Sequence, residues 1–282
     1  MRKTRFAVGG IAFLSLLWAP ASSTRADDDE ALLLLLKVQT LYGKLQTYAD
    51  HGTITIDARI GDEQTTETVN FVTAFDAPNE MRYDQWYTTP TGELQEVVLW
   101  LDDGEAKIWR TQPVYSDEPQ VIEEASRDEA FMQAARGSGG QDNFVPRFLL
   151  SYGSSSLIFN LENIRIEGEM ELDGVECWFL SGKFVNTARL RLVVGKEDLL
   201  IRRAVFIVRP EDHIVNNKLG EAADGGVVRA GGLKRGVIKT TVDYHPRTDV
   251  YFQREDLTFD PEADAERPGE FEAISASGDS SS

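Results

Sequence analysis

From Gly52 to Ile60, small and aliphatic residues (Gly52, Ile54, Ile56, Ala58, Ile60) take turns with Thr53, Thr55, Asp57 and Arg59. A period of two puts each set on its own face of an extended strand, so this stretch specifies a half-buried antiparallel strand. The signature returns along the chain. Ile60-Gly61-Asp62-Glu63 turns it into a run centred on Phe71 to Phe75, and Pro78-Asn79 turns it again into Met81 to Thr88. Asp102-Asp103-Gly104 then separates Leu94–Leu101 from Ala106–Arg110, a hairpin signal because Asp and Gly tolerate the positive φ of a tight turn. In the second half Leu161 to Glu169, Val175 to Phe184, Leu190 to Val194 and Leu199 to Val208 follow one another through short turns, and Val237 to Tyr244 and Val250 to Phe259 close the series. The pattern predicts about eleven strands without parallel crossovers, an α+β architecture built on one antiparallel sheet.

Helical periodicity appears where the alternation stops. Leu34, Val38, Leu41, Leu45 and Tyr48 recur at steps of four and three, one stripe of a helix that precedes the first strand. Leu32, Leu33, Leu35 and Leu36 make its first turns apolar all round, which predicts burial on more than one side. Val121 to Arg136 is read as an amphipathic helix and Phe144 to Tyr152 as a shorter one entered through Pro146.

Arg2, Lys3 and Arg5 followed by an apolar run from Phe6 to Trp18 are the pattern of a secretory signal, with cleavage expected after Ala21 or Ala26. The organisation is therefore a signal peptide over 1–26, a domain over 27–259, and an acidic, Ser-rich tail over 260–282 too poor in apolar residues to offset its ordering entropy. No cysteine stands near either cleavage point to accept a lipid anchor. Cys177 is the only cysteine, leaving a buried thiol or an intermolecular bridge. A formal charge of -18 repels phosphate backbones and argues against a nucleic-acid partner.

A catalytic reading finds little. His51, His213 and His245 are scattered, neither HExxH nor GxSxG occurs, and the acidic group Asp27 to Glu30 lacks the alternating spacing of a calcium loop. The chain is read as non-enzymatic, with no cofactor and no metal.

Two segments carry a resemblance: PNEMRYDQW, a Pro-Asn turn opening a strand that ends in an aromatic, and VVLWLDDGEAKIWR, an Asp-Gly hairpin leading into an aromatic-containing strand. With LRLVVGKEDLLIRR and VYFQREDLTFDPEAD, they resemble the LolA/LolB-like lipoprotein-carrier superfamily over nearly all of the chain after the signal. At the position before the Pro-Asn turn, where such carriers commonly hold a basic residue, this sequence has Ala77. The resemblance implies a strongly curved half-barrel of antiparallel strands, covered by an N-terminal helix and inserted helices. It also implies a periplasmic or otherwise extracytoplasmic carrier for lipid or lipoprotein acyl chains, monomeric and in transient contact with membranes or envelope donor and acceptor proteins. Under it, Phe71, Phe75, Trp86, Trp100, Trp109 and Trp178 are candidates to line an apolar cavity, beside the alternative that they fill an ordinary core. Arg82 is a candidate headgroup contact, beside the alternative of a solvated strand charge. The Gly-rich stretch Gly220 to Gly232 is a candidate flap or a plain loop. The rival reading is a periplasmic sensor or chaperone that binds a protein segment in the same half-barrel.

Overall fold

The computed structural model describes residues 24–89, 91–102, 105–111, 120–124, 127–134, 144–150, 158, 161–184, 188–209 and 236–261. The apolar run of the signal, Asp103-Gly104, the Gly-rich segment 210–235 and the tail from 262 lie outside them.

Helix α1 (Thr24–Tyr42) leads into β1 (Thr47–Ile60), β2 (Glu63–Asp76), β3 (Glu80–Thr88), β4 (Leu94–Asp102), β5 (Glu105–Arg110) and β6 (Gln120–Glu124). Two short helices follow, α2 (Arg127–Ala134) and α3 (Phe144–Leu149). Then come β7 (Leu161–Leu172), β8 (Val175–Phe184), β9 (Arg189–Gly195), β10 (Ile201–Val208), β11 (Gly236–Tyr244) and β12 (Arg247–Thr248). The main path of the sheet runs β6-β5-β4-β3-β2-β1-β11-β10-β9-β8-β7, with β12 beside β1. Every pairing is antiparallel, and β6 and β7 remain as the two edges among the described residues, so the sheet is an open half-barrel.

Directly paired residues share a face, so the register sorts the side chains. One face carries Tyr48, Ile54, Phe71, Phe75, Met81, Tyr83, Leu99, Leu101, Ile108, Leu180, Leu192, Ala204, Val242 and Tyr244, all in the main core. Ala31, Leu34, Leu35, Val38 and Tyr42 of α1, Ala130, Phe131 and Ala134 of α2, and Phe144, Val145, Phe148 and Leu149 of α3 join that same core. The helices thus cover one face of the half-barrel. α1 crosses it from β7, on which it packs, to β10 and β1, where the Tyr42 ring lies 5.6 Å from Tyr48.

The structure corrects five local expectations. The first helix ends at Tyr42, so Leu45 lies beyond it and Tyr48 belongs to β1. Val121 to Arg136 is not one helix: Gln120–Glu124 pairs along β5, because that edge offers unpaired backbone groups to the β-branched Val121 and Ile122, and helix begins only at Arg127. Val250 to Phe259 is not a strand. Only Arg247–Thr248 pairs, and a helical turn at Arg254–Leu257 follows, its start closed by a reciprocal capping box between Gln253 and Asp256. Strand β10 starts at Ile201 rather than Leu199, whose φ of 57° belongs to the turn. Finally, the leucines of α1 are not buried all round: Leu32, Leu33 and Leu36 are 38%, 58% and 37% exposed. Cys177 is buried.

Candidate functional site

The predicted lining residues divide between the two faces. Phe71 and Phe75 lie on the helix-covered face, fully buried in the main core, and Trp178 packs half-buried against the same core with Lys196 Nζ 4.8 Å from its ring centroid. Trp100 and Trp109 lie on the outer face. There they form a separate cluster with Val98 and Phe259, the Phe259 ring standing 5.3 Å from Trp100 and 5.1 Å from Trp109. Trp86, opposite Asn70 and Glu96, is half-buried on that outer face as well. The six aromatics therefore do not line one cavity.

Arg82 belongs to the outer face too. Its Nε donates to both Asp84 oxygens at 3.0 Å, Nη2 meets Asp84 Oδ2 at 2.8 Å, and Nη1 donates to the Thr258 carbonyl at 2.9 Å. The guanidinium also sits 5.2 Å from the Phe259 ring centroid. In place of a headgroup contact, this geometry gives Arg82 the work of clamping the C-terminal segment. Phe252 and Leu257 complete the strap by packing on Ala49 and Ala74. Phe259→Ala is expected to cost about 3 kcal/mol in urea unfolding and to shift tryptophan emission to the red as Trp100 and Trp109 are wetted. A loss below about 1 kcal/mol would show that the strap is ornamental.

What remains on the helix-covered face is an apolar trough with a few polar groups at its floor. Tyr48 Oη donates to Asp50 Oδ2 at 2.8 Å, and Gln85 Nε2 donates to Tyr83 Oη at 2.7 Å. Burial pushes the Asp50 carboxyl up to about 6, against the hydrogen bond from Tyr48, and burial likewise raises both Tyr42 and Tyr48 above the ordinary phenol range. Tyr42, the last residue of α1, is held there because its hydroxyl oxygen accepts the Ile201 N–H at 3.0 Å and its ring packs 5.9 Å from Phe148.

At the Tyr42 end of α1, Gly43, Leu45, Gln46, Phe75, Ala77, Pro78, Asn79, Leu149 and Leu150 surround a cleft of about 390 Å³. Under the middle of the helix, Leu35, Leu161, Ile164, Leu180, Leu190 and Leu192 leave only about 10 Å³, so there helix and sheet are in contact. Among the described residues, the face is thus in contact with α1 at Leu35 and has a cleft beyond its Tyr42 end.

Among the described residues no group of three or more His, Cys, Asp or Glu is placed to hold a metal, and no helix is long and apolar enough to cross a membrane. The structure does bring together two histidines that the sequence keeps far apart. His51 and His245 stack with ring centroids 4.9 Å apart, and burial, then His245 and Arg247, lower the His51 pKa. Only the β1/β11 register, which joins distant segments, could have revealed this pair.

No family model matches the sequence, and neither does any curated protein. Among solved structures, the chain is similar to an uncharacterized conserved protein from Thermus thermophilus (13% identity, TM-score 0.41, 83% of this chain and 95% of that one). It is also similar to a putative outer membrane lipoprotein-sorting protein domain from Vibrio parahaemolyticus (8%, TM-score 0.35, 82% and 97%). A third is the Mycobacterium tuberculosis lipoprotein LppX (10%, TM-score 0.37, 80% and 98%). At these identities and TM-scores the likeness is to a curved antiparallel sheet of this general size, and the functional reading rests on the chain's own geometry.

Proposed function

We propose that this chain is an extracytoplasmic, non-catalytic binding protein that holds acyl chains between the helix-covered face of its half-barrel and helix α1. The observation that carries the reading is α1 itself. It presses Ala31, Leu34, Leu35, Val38 and Tyr42 onto the sheet while leaving Leu32, Leu33 and Leu36 exposed, so it is apolar on both sides. A helix with a single core contact has no use for an outer leucine stripe; a lid that lifts off an apolar trough and meets an apolar surface does. The energetics favour exchange, since each buried CH₂ is worth about 0.8 kcal/mol and an acyl chain entering the trough replaces the lid's own apolar contacts with equivalent ones. The basic start and apolar run of the sequence support export.

Binding of a partner strand along the sheet edges has less support. Edge strand β7 carries Glu162, Glu167, Glu169 and Glu171 and two register shifts, devices that discourage strand addition.

The test is mass spectrometry of the organic extract from protein purified gently from the envelope of its source cells, wild type beside Ala77→Trp, which fills the cleft near Phe75 and Leu150. About one acyl lipid per wild-type chain and a clear deficit on the variant are expected. A folded wild type that carries no lipid would refute the reading.

A further inference from the structure

The C-terminal strap covers the outer face of the sheet at Ala49, Ala74, Trp100 and Trp109. On β7, β8 and β9 the same face holds an open cleft of about 520 Å³, ringed by the exposed side chains of Arg165, Lys183, Arg189 and Arg191. The register fixes the face: one row of directly paired residues runs from Thr55 of β1 through Thr241, Val205 and Arg191 to Ser181 and Arg165. Thr55 shares the Ala49 side of β1, so these bases point away from the main core and from α1.

The concentration of positive charge is unusual in a chain with 29 basic and 47 acidic residues. Among the described residues lining the cleft, Glu167 is the one acid, and it is engaged: Oε1 lies 3.6 Å from Arg165 Nε and accepts the Ser181 hydroxyl. Lys183 stands directly opposite Arg189, and like charges so placed destabilise a sheet. Among the described residues, Lys183, Arg189 and Arg191 form no ion pair. An arrangement that works against the fold points to an anionic partner outside it.

Three features indicate which kind. An exposed ion pair contributes little by itself, so a small anion that meets one or two of these bases stays largely free, and a partner has to present several negative groups at once. Apolar side chains accompany the bases: Phe179 lines the cleft, Val205 pairs with Arg191 and Ile207 with Arg189, all three half-buried on the same face. A charged polymer has no use for them, whereas the headgroup region of a bilayer takes up both kinds of side chain. Finally, β8 and β9 are paired on both sides, so no foreign strand adds there and contact is made through side chains alone. Laterally mobile headgroups bring an anion to each base, while a folded acidic protein has to match their spacing. The formal charge of -18 does not forbid the approach, because at about 0.1 M salt charges more than about 10 Å away are largely screened and the surface that meets the lipid decides.

We infer that the outer face of β7, β8 and β9, through Arg165, Lys183, Arg189 and Arg191 and the apolar side chains beside them, docks on the surface of a membrane rich in anionic lipid. This surface lies across the sheet from α1 and is independent of the acyl-binding reading.

The test is co-sedimentation of the mature protein with vesicles made of equal parts phosphatidylcholine and phosphatidylglycerol, beside vesicles of phosphatidylcholine alone, at about 0.1 M salt. The proteins are wild type, Arg189→Glu/Arg191→Glu, and Arg59→Glu/Arg254→Glu, which makes the same charge change at two exposed positions away from the cleft. Each Lys or Arg near an anionic lipid surface is worth about fivefold in partitioning, so wild type and the control should prefer the anionic vesicles by about 25-fold or more, and the cleft variant should lose that preference. Because Arg189→Glu replaces a like-charge pair with an opposite one across from Lys183, the cleft variant should melt no lower than wild type, which separates lost docking from lost fold. Equal partitioning of the wild type onto both kinds of vesicle overturns the inference without any variant. Equal losses in the two double variants would tie binding to net charge and overturn its assignment to this face. Binding to soluble poly-glutamate without binding to the anionic vesicles would make the face a site for an acidic protein segment and overturn the lipid assignment.

Discussion

Replacing Gly52 by Ala is expected to cost about 3 kcal/mol or more in urea unfolding. Gly52 sits in the middle of β1, paired with Phe71 on β2 and Tyr244 on β11. A Cβ there would stand 1.8 Å from the Asp243 carbonyl oxygen and 2.8 Å from two Phe71 ring carbons. The missing side chain is what lets the Phe71 ring lie across the strand, 5.6 Å from Tyr244 on one side and 6.0 Å from Tyr83 on the other. Restoring a side chain must push β1 from β11, displace that aromatic row, or both, and neither neighbour is a flexible chain end. A change below about 1 kcal/mol would mean that the row and the strand spacing adapt, contrary to the close approach seen here.

The second large effect is a pH dependence centred on Asp50. Its carboxyl is buried on the helix-covered face, beside Tyr48 and opposite Thr73, and burial raises its pKa to about 6 from 3.8. A raised carboxyl favours the folded state while protonated: that contribution is complete below the unfolded pKa near 4 and is lost as pH rises through about 6. The difference amounts to about 3 kcal/mol above pH 7. Asp50→Asn keeps an oxygen for the Tyr48 hydroxyl and gives its new amide the Thr73 hydroxyl oxygen as an acceptor. The variant should match wild type near pH 4 and be more stable by up to about 3 kcal/mol at pH 8. Taking the difference between the two proteins removes the contribution of His51, whose lowered pKa has the opposite sign and destabilises the fold as pH falls below about 6.5. A variant that is equally stable at pH 8 and gains nothing between pH 4 and 8 would show Asp50 to be solvated or paired.

Much of the sheet is legible in the sequence, and its failures have physical causes. Period two in β1 and the Asp and Gly turns place most strands within a residue or two, because one face of each is buried and the other half-wet. The alternation weakens where both faces are covered. In β4 and β5, Leu99, Leu101 and Ile108 fill the main core while Trp100 and Trp109, one residue out of phase, fill the cluster beneath Phe259. From Val97 to Leu101 the run is unbroken and apolar, so within it the alternation does not mark which face the helices cover, and the most conspicuous aromatics belong to the face that α1 leaves uncovered. The segment carrying Phe252, Leu257 and Phe259 looks like a strand for the same reason: its large side chains answer to an existing sheet surface, and strand pairing has no part in it. The basic cleft was invisible for another reason. Arg165, Lys183, Arg189 and Arg191 are ordinary alternating charges on three strands until the register sets them side by side.

The central claim, acyl chains bound between α1 and the helix-covered face, is tested most directly by photo-cross-linking with a fatty acid that carries a diazirine at its methyl end, followed by peptide mass spectrometry of the full-length mature protein. Adducts are expected only in the trough and at its open end, on α1 and around Leu45, Phe75, Leu149 and Leu150. Saturable labelling centred on Trp100, Trp109 and the outer face, or no saturable labelling, would contradict it.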